Sequence, residues 1–230
     1  EGYAKWKNEN KPNKKTYLLL HTYWKEGWGI HKIAAEYNIS TEEILTTYVC
    51  RKCRKYQIKK YSGEEQDCSG CGNKKSQVTT SVGFGVTENH LNEIYNFMDV
   101  YCHPFTSGGQ EIPIQEAKLA ELITLVTNYS CGEESCEEGS ESIVLEWSEY
   151  REHQTEFKKA STYPHSIAKG INAVYDMSLS ERSEKGKASR QWALDNFSVE
   201  VIGKFFEDFI DNAPEVDYDF SKEESKEDKK

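Results

Sequence analysis

Apolar positions along the chain fall into two alternating rhythms. Tyr17-Leu18-Leu19-Leu20-His21-Thr22 is an unbroken run of strand length that follows the turn-forming residues 10–15, which suits a strand covered on both faces. Ile30, Ile33, Ala34 and Tyr37 then recur at helical spacing, Asn38 suits a C-cap, and Ser40-Thr41-Glu42-Glu43 offers a capping box for a second short helix. Residues 44–49 and 78–82 read as strands, Leu91, Ile94, Tyr95 and Met98 as one face of a helix, and residues 99–103 as a strand stopped by Pro104. A helix over 111–122 carrying Ile114, Ala117, Leu119 and Ala120 runs straight into a β-branched strand over 122–127. Strands and helices alternating at these lengths predict a doubly wound α/β domain with a parallel sheet.

Past residues 143–145 the pattern turns helical. Ile167, Ala168, Ile171, Val174 and Tyr175 mark one helix and the residues around Trp192 a second. A third, capped by Ser198, is expected to bury Val201, Ile202, Phe205, Phe206 and Phe209. Residues 212–230 form an acidic tail without a helical apolar stripe, which predicts disorder.

Residues 50–75 break the alternation. Cys50-x2-Cys53 and Cys68-x2-Cys71 supply four thiolates in two tight pairs, the set a tetrahedral zinc ion takes, and four protein ligands leave no coordination position open. A structural Zn²⁺ is therefore expected in a separate insert at 50–75, between a domain start at 1–49 and its remainder at 76–211. The insert holds eight basic residues against three acidic ones. Nucleic-acid contact by these residues is possible in a zinc ribbon, but such charges on small metal knuckles are more often solvated surface. The chain as a whole carries a net charge of −10, which argues against a general nucleic-acid binder.

Paired C-x-x-C elements favour metal over disulfides and a reducing compartment. No apolar run reaches the roughly 18 residues of a membrane span, and no secretory h-region opens the chain, so a cytoplasmic protein is expected. The first residues, Glu1-Gly2-Tyr3-Ala4-Lys5-Trp6, read as the middle of an amphipathic helix, which predicts a fragment of a longer chain.

Several weaker signals lie elsewhere in the chain. Residues 29–40 resemble the first helix and turn of a helix-turn-helix reader, but the residues after Ser40 are acids instead of groove-reading side chains. Gly83-Phe84-Gly85 after a strand is similar to a phosphate loop without its third glycine. Cys131-x4-Cys136 reads as an ordinary loop. His21 and His103 each follow an apolar strand at the carboxyl edge of the sheet, where α/β proteins bind ligands.

The richest stretch is Asp99-Val100-Tyr101-Cys102-His103-Pro104, then residues 105–109, then Gln110-Glu111-Ile112-Pro113-Ile114-Gln115-Glu116-Ala117. It resembles, without a gap, the donor-site signature of retaining GT-B glycosyltransferases: an Asp-Val strand ending in Pro, a Gly-rich loop, and Pro-x-x-Glu-Ala opening a helix. Leu91-x2-Ile94-Tyr95-x3-Asp99, Leu125-Val126-Thr127-Asn128 and residues 190–197 extend the likeness to roughly residues 17–211, with the zinc insert as an extra. The resemblance implies a Rossmann-like carboxyl-terminal domain that binds a nucleotide-sugar, and chemistry that stabilises a leaving diphosphate without a catalytic metal. A Gly-rich loop feeding a helix N-terminus suits a diphosphate anion.

By the same resemblance Glu116 matches the second carboxylate of the family's E-x7-E pair, the one that holds the ribose. The first falls at Gly108, and Glu111 lies three residues later, where the family usually has glycine. Three alternatives follow: Glu111 substitutes as the catalytic acid from a shifted loop, or Gln110 and the backbone of Gly108, Gly109 and Glu111 hold sugar and phosphate, or activity is lost. Gly85, His103, Ser130 and Gly132 are further expected donor contacts. The family's acceptor domain and diphosphate-clamping basic residues are expected upstream of Glu1, so this chain alone is expected to bind nucleotide weakly without transferring sugar. The competing class is a non-enzymatic, zinc-containing module that binds nucleic acid or protein.

Overall fold

The computed structural model describes residues 1–27, 29–81 and 83–214. Within residues 1–193, α1 (Gly2–Asn10) is followed by β1 (Leu18–Leu20) and α2 (Ile30–Glu36). Asn38 leaves α2 in a left-handed conformation (φ 55°), and the predicted capping box closes a single 3₁₀ turn over Thr41–Glu43 instead of a second α-helix. Ser40 Oγ accepts from the Glu42 amide at 3.2 Å and Glu43 accepts from the Ser40 amide at 3.3 Å. The turn delivers the chain into β2 (Ile44–Cys50), then β3 (Tyr56–Lys60), β4 (Glu65–Gln66) and β5 (Gln77–Thr79).

β2 organises the first sheet. It runs parallel to β1 at its start (Leu18 opposite Ile44, Leu20 opposite Thr46) and antiparallel to β5 at its end (Tyr48 opposite Thr79, Cys50 opposite Gln77). Its other edge pairs antiparallel with β3, from Leu45–Lys60 to Val49–Tyr56, and β4 pairs with β5. The ribbon that carries the four cysteines spans 44–79 and includes the strand that also pairs with β1.

α3 (Glu88–Asn96) leads to a second, all-parallel sheet of β6 (Val100–His103), β7 (Ile123–Thr127) and β8 (Ile143–Leu145), in the order β6-β7-β8. α4 (Ile112–Leu119) connects the first two of these strands, and the short α5 (Gly132–Ser135) lies between the last two. Apolar side chains cover both faces. Ile123, Leu125, Leu145 and Val174 pack with Ile143, Ile167 and Ile171 on one side, and Tyr95, Ala117 and Leu122 pack with Leu91 and Met98 on the other.

The described strands form a mixed α/β structure in three sheets, one of them all-parallel, where alternation predicted a doubly wound parallel sheet. The reason lies in β2, whose edges are taken by antiparallel ribbon partners beyond its three-residue pairing with β1.

A third sheet was not foreseen. Past residue 145 the chain forms an antiparallel hairpin, β9 (Trp147–Arg151) with β10 (Lys158–Thr162), before the helices begin. Only Ala160 in it is buried, so the usual alternation of apolar and polar positions is faint. α6 (Pro164–Asp176) then packs on α1, where Trp6 Nε1 donates to Asn172 at 3.1 Å and the Trp6 ring meets Tyr175 edge-on. Gly170 lets α6 come close to β7, since a Cβ there would sit 2.8 Å from Leu125 Cδ2. α7 (Leu179–Phe197) follows.

One interior feature is unusual. Lys118 on α4 is fully buried, and its ammonium finds Ser140 O (2.5 Å), Ser142 Oγ (2.8 Å) and the Trp192 ring instead of a carboxylate. Burial lowers its pKa to about 8.

From residue 194 the chain forms a second unit that holds α8 (Val199–Asp211). Ser198 caps it as expected, its Oγ accepting from the Val201 amide at 3.3 Å. The expected burial of Val201, Ile202, Phe205, Phe206 and Phe209 is not found, because α8 has no buried residue and Phe209 is 66% exposed. Amphipathic spacing fixes which face is apolar and leaves open what covers it. The tail at 215–230 lies outside the described residues, as does Val82 of the expected 78–82 strand. Among the described residues no helix is long and apolar enough to cross a membrane.

Candidate metal centre and ligand site

Two knuckles of the same construction meet at the end of the ribbon. In the first, the Cys50 amide donates to Lys55 O at 2.9 Å and the Arg54 amide returns to Cys50 O at 3.0 Å. In the second, the Cys68 amide donates to Asn73 O at 2.9 Å and the Gly72 amide to Cys68 O at 2.8 Å. Both turns need a left-handed residue after the second cysteine. Gly72 (φ 71°) adopts it freely, whereas Arg54 (φ 61°) does so at a cost of roughly 1–2 kcal/mol.

The four sulfurs of Cys50, Cys53, Cys68 and Cys71 all lie within 4.8 Å of one another, and none is in a disulfide. Cys50 Sγ is 3.7 Å from Cys71 Sγ, and Cys53 Sγ is 3.6 Å from Cys68 Sγ. A metal with thiolate bonds of about 2.3 Å in a tetrahedron requires sulfur–sulfur edges of roughly 3.8 Å. The cysteines are therefore arranged to hold a metal ion, as their spacing indicated.

Donors around the sulfurs favour thiolates. Lys52 N and Gly70 N each point at the first sulfur of their knuckle at 3.3 Å, and Asn73 Nδ2 lies 3.2 Å from Cys71 Sγ. The Ser76 hydroxyl, 3.3 Å from Cys50 Sγ, pulls that thiol down to about 5, and Asn73 lowers Cys71.

The remaining candidates gather at the carboxyl end of β6 and the start of α4. Tyr101 and His103 lie two apart on the strand and so share a face. Tyr101 Oη is 3.0 Å from His103 Nδ1, and His103 Nε2 is 2.9 Å from Glu111 Oε2. Because a carboxylate only accepts, His103 Nε2 carries the proton toward Glu111, and Nδ1 then accepts from the Tyr101 hydroxyl. Burial, with Glu111 next, raises the Tyr101 pKa and keeps that hydroxyl protonated.

Glu111 folds back over the loop. A Cβ on Gly108 would collide with its carboxylate, so Glu111 fills the space that a side chain at 108 would enter. Ser130, itself left-handed (φ 56°), donates its hydroxyl to Gly108 O at 2.7 Å and pins the loop. Gly109 and Gln110 are exposed beside it. Glu116, just over one turn into α4, accepts from Tyr95 Oη at 2.9 Å.

Gly132 serves packing, because any side chain there would strike Phe105 and the Thr127 carbonyl. Gly85 belongs with the metal ribbon, its carbonyl accepting from Arg54 at 2.8 Å. His21 pairs with Thr47 on the five-stranded sheet at 2.6 Å, and burial lowers its pKa. The structure thus joins His103, Glu111, Gly108 and Ser130 directly and leaves Gly85 and His21 engaged elsewhere.

The sequence places Tyr95 on a helix face and Tyr101 in a strand without marking either as a site residue, and it does not mark the β9–β10 hairpin. The hairpin is stitched to the same loops through Ala160 N to Thr106 O (2.8 Å), Tyr129 Oη to Lys158 O (2.8 Å) and Trp147 Nε1 to Asn128 O (2.7 Å). Tyr101 could have been found from its i, i+2 relation to His103. No family model, curated protein or solved structure matches this chain.

Proposed function

We propose that this chain is the carboxyl-terminal, nucleotide-sugar-binding domain of a retaining GT-B-type glycosyltransferase, working with an amino-terminal domain that binds the acceptor. The observation that carries this reading is the position of Glu111. Its carboxylate occupies the volume belonging to a side chain at residue 108, eight positions before Glu116, where the resemblance asks for an acid. A carboxylate moved in space, though not in sequence, supports the shifted-loop alternative over loss of the group.

In this reading Glu116 accepts the ribose hydroxyls and Tyr95 fixes its rotamer. Glu111, oriented by His103 and Tyr101, faces the sugar as the catalytic-site acid. Gly108, Gly109 and Gln110 offer backbone N–H groups to the diphosphate at the start of α4. The four-cysteine centre holds a structural zinc, since its ligand set is closed and leaves no position for substrate.

Thermal unfolding in UDP, GDP and ADP tests the reading. At a ligand concentration a hundred times Kd, one nucleotide stabilises the protein by about 2.7 kcal/mol, and Glu116→Ala abolishes the effect. No shift with any of the three removes the nucleotide-binding reading. The isolated chain is expected to be inactive as a transferase, so turnover of a UDP- or GDP-sugar by it overturns the two-domain part of the proposal.

One observation favours the competing module. Lys52, Lys55, Lys74 and Lys75 are exposed on the knuckle tips of an otherwise acidic chain. A salt-sensitive gel shift that persists in Glu116→Ala would support it.

A further inference from the structure

The metal ribbon and the Glu116 carboxylate touch opposite sides of one short helix. Arg54, the left-handed residue of the first knuckle, donates through Nη2 to Gly85 O at 2.8 Å and lies 4.2 Å over the Phe84 ring. These residues lead into α3, whose N-cap is Thr87. Tyr56, the first residue of β3, donates its hydroxyl to Glu93 at 2.7 Å and stacks on His90 at 4.2 Å. His90 and Glu93 are three apart and form one side of α3. Tyr95, two residues on from Glu93 and 7% exposed, points away from that side and holds Glu116.

A helix of nine residues is too short to be stable by itself, so its position follows from what it touches. Arg54 sits in the left-handed conformation that closes the first knuckle after Cys53, and Tyr56 begins the strand leaving that turn.

We propose that Arg54 and Tyr56 are positioning residues that act through α3 on Tyr95 and Glu116, so that metal occupancy of the ribbon sets the order of the Glu116 side of the ligand site. The metal centre would then serve more than its own ribbon. Thiol oxidation or metal loss would loosen a carboxylate to which no cysteine is bonded. The linkage itself rests on the contacts of α3, whereas its effect on a ligand rests on the nucleotide-binding reading above.

The test uses the full chain with metal content verified at each step. Hydrogen exchange is followed in residues 88–96, 112–119 and 123–127 for the wild type, Arg54→Ala, Tyr56→Phe and the double variant. Tyr56→Phe keeps the ring stack and removes only the hydroxyl, so it guards against a folding failure. The expected result is faster exchange in 88–96 and 112–119 with 123–127 unchanged and metal still bound, and Arg54→Lys recovering part of the loss. Unchanged exchange in 88–96 and 112–119 in the double variant overturns the proposal, as does a uniform rise that includes 123–127.

A second arm measures UDP, GDP and ADP affinity by calorimetry. Coupling of the usual size predicts a roughly three- to tenfold loss in the double variant for any nucleotide that the wild type binds. If none of the three binds the wild type, the nucleotide reading falls, while the exchange data still decide whether α3 carries the linkage.

Discussion

The ribbon at 44–79 and the parallel sheet at 100–145 solve the same problem by opposite means. Much of what β2 and β5 bury is polar: Thr46, Thr47, Gln77 and Thr79 are 0–1% exposed. Their groups are satisfied one by one, Thr46 between Leu20 O and Trp24 Nε1, and Gln77 between Gln57 and Lys59. Hydrogen bonds of this kind add only about 0.5–1.5 kcal/mol net each, and the four cysteines at the end of the ribbon are arranged to hold a metal ion that would add to the burial of Ile44, Tyr48, Val49 and Val78. The parallel sheet instead buries Ile123, Leu125, Val126 and Leu145 at 0–2% exposure, each contributing roughly 1.5–3 kcal/mol. A bound metal would therefore matter most to the ribbon, while the parallel sheet stands on its core.

The largest effect that could break this comparison comes from the metal. Chelation or Cys68→Ser is expected to cost several kcal/mol and to open residues 44–79 to exchange while β7 stays protected. Elemental analysis should give one metal per chain before treatment and none after. A ribbon that keeps its protection without metal would end the contrast.

Leu125→Ala is the converse experiment. It should lower stability in urea by about 2–5 kcal/mol and leave metal stoichiometry unchanged. Loss of metal along with the core would show that the two regions unfold as one.

Lys118 sharpens the comparison by testing the price of a polar group inside the apolar half. Its folded-state pKa, near 8, lies below the 10.5 of the unfolded chain. Between those values the unfolded state binds more protons, so this group makes stability rise with pH across that window. In Lys118→Met that part of the rise should vanish from urea midpoints measured between pH 7.5 and 10.5. An identical pH dependence in variant and wild type would contradict the assignment.

The smallest expected effect is at the joint between the two regions. Thr87 caps α3 by accepting from the His90 amide at 3.3 Å, and Thr87→Ala should cost about 1 kcal/mol. Exchange should quicken in 88–96 before it does in either sheet.

Much of this molecule was legible in the sequence. The two C-x-x-C pairs announced the metal site because a knuckle is a local structure, closed by hydrogen bonds between residues four or five apart. The strands at 44–49, 99–103 and 122–127, the helix opening near Ile112 and the cap at Ser198 were visible for the same reason: periodicity and capping are properties of neighbours. The hairpin at 147–162 was hidden because only Ala160 is buried in it, so no alternation marked its strands.

What the sequence could not decide depends on residues far apart. Gly108 and Glu111 are read as separate loop residues, and only the fold shows that the Glu111 carboxylate fills the space beside Gly108. Tyr95 and Glu116 are 21 positions apart, and Tyr56 and Glu93 are 37 apart. Nothing in either pair's spacing reveals that one helix lies between them. Local chemistry along the chain determined the metal ligands and most of the elements. The division into three sheets, and the contact between a metal ribbon and a carboxylate, were decided by which edges β2 had left to offer and which faces a nine-residue helix could bury.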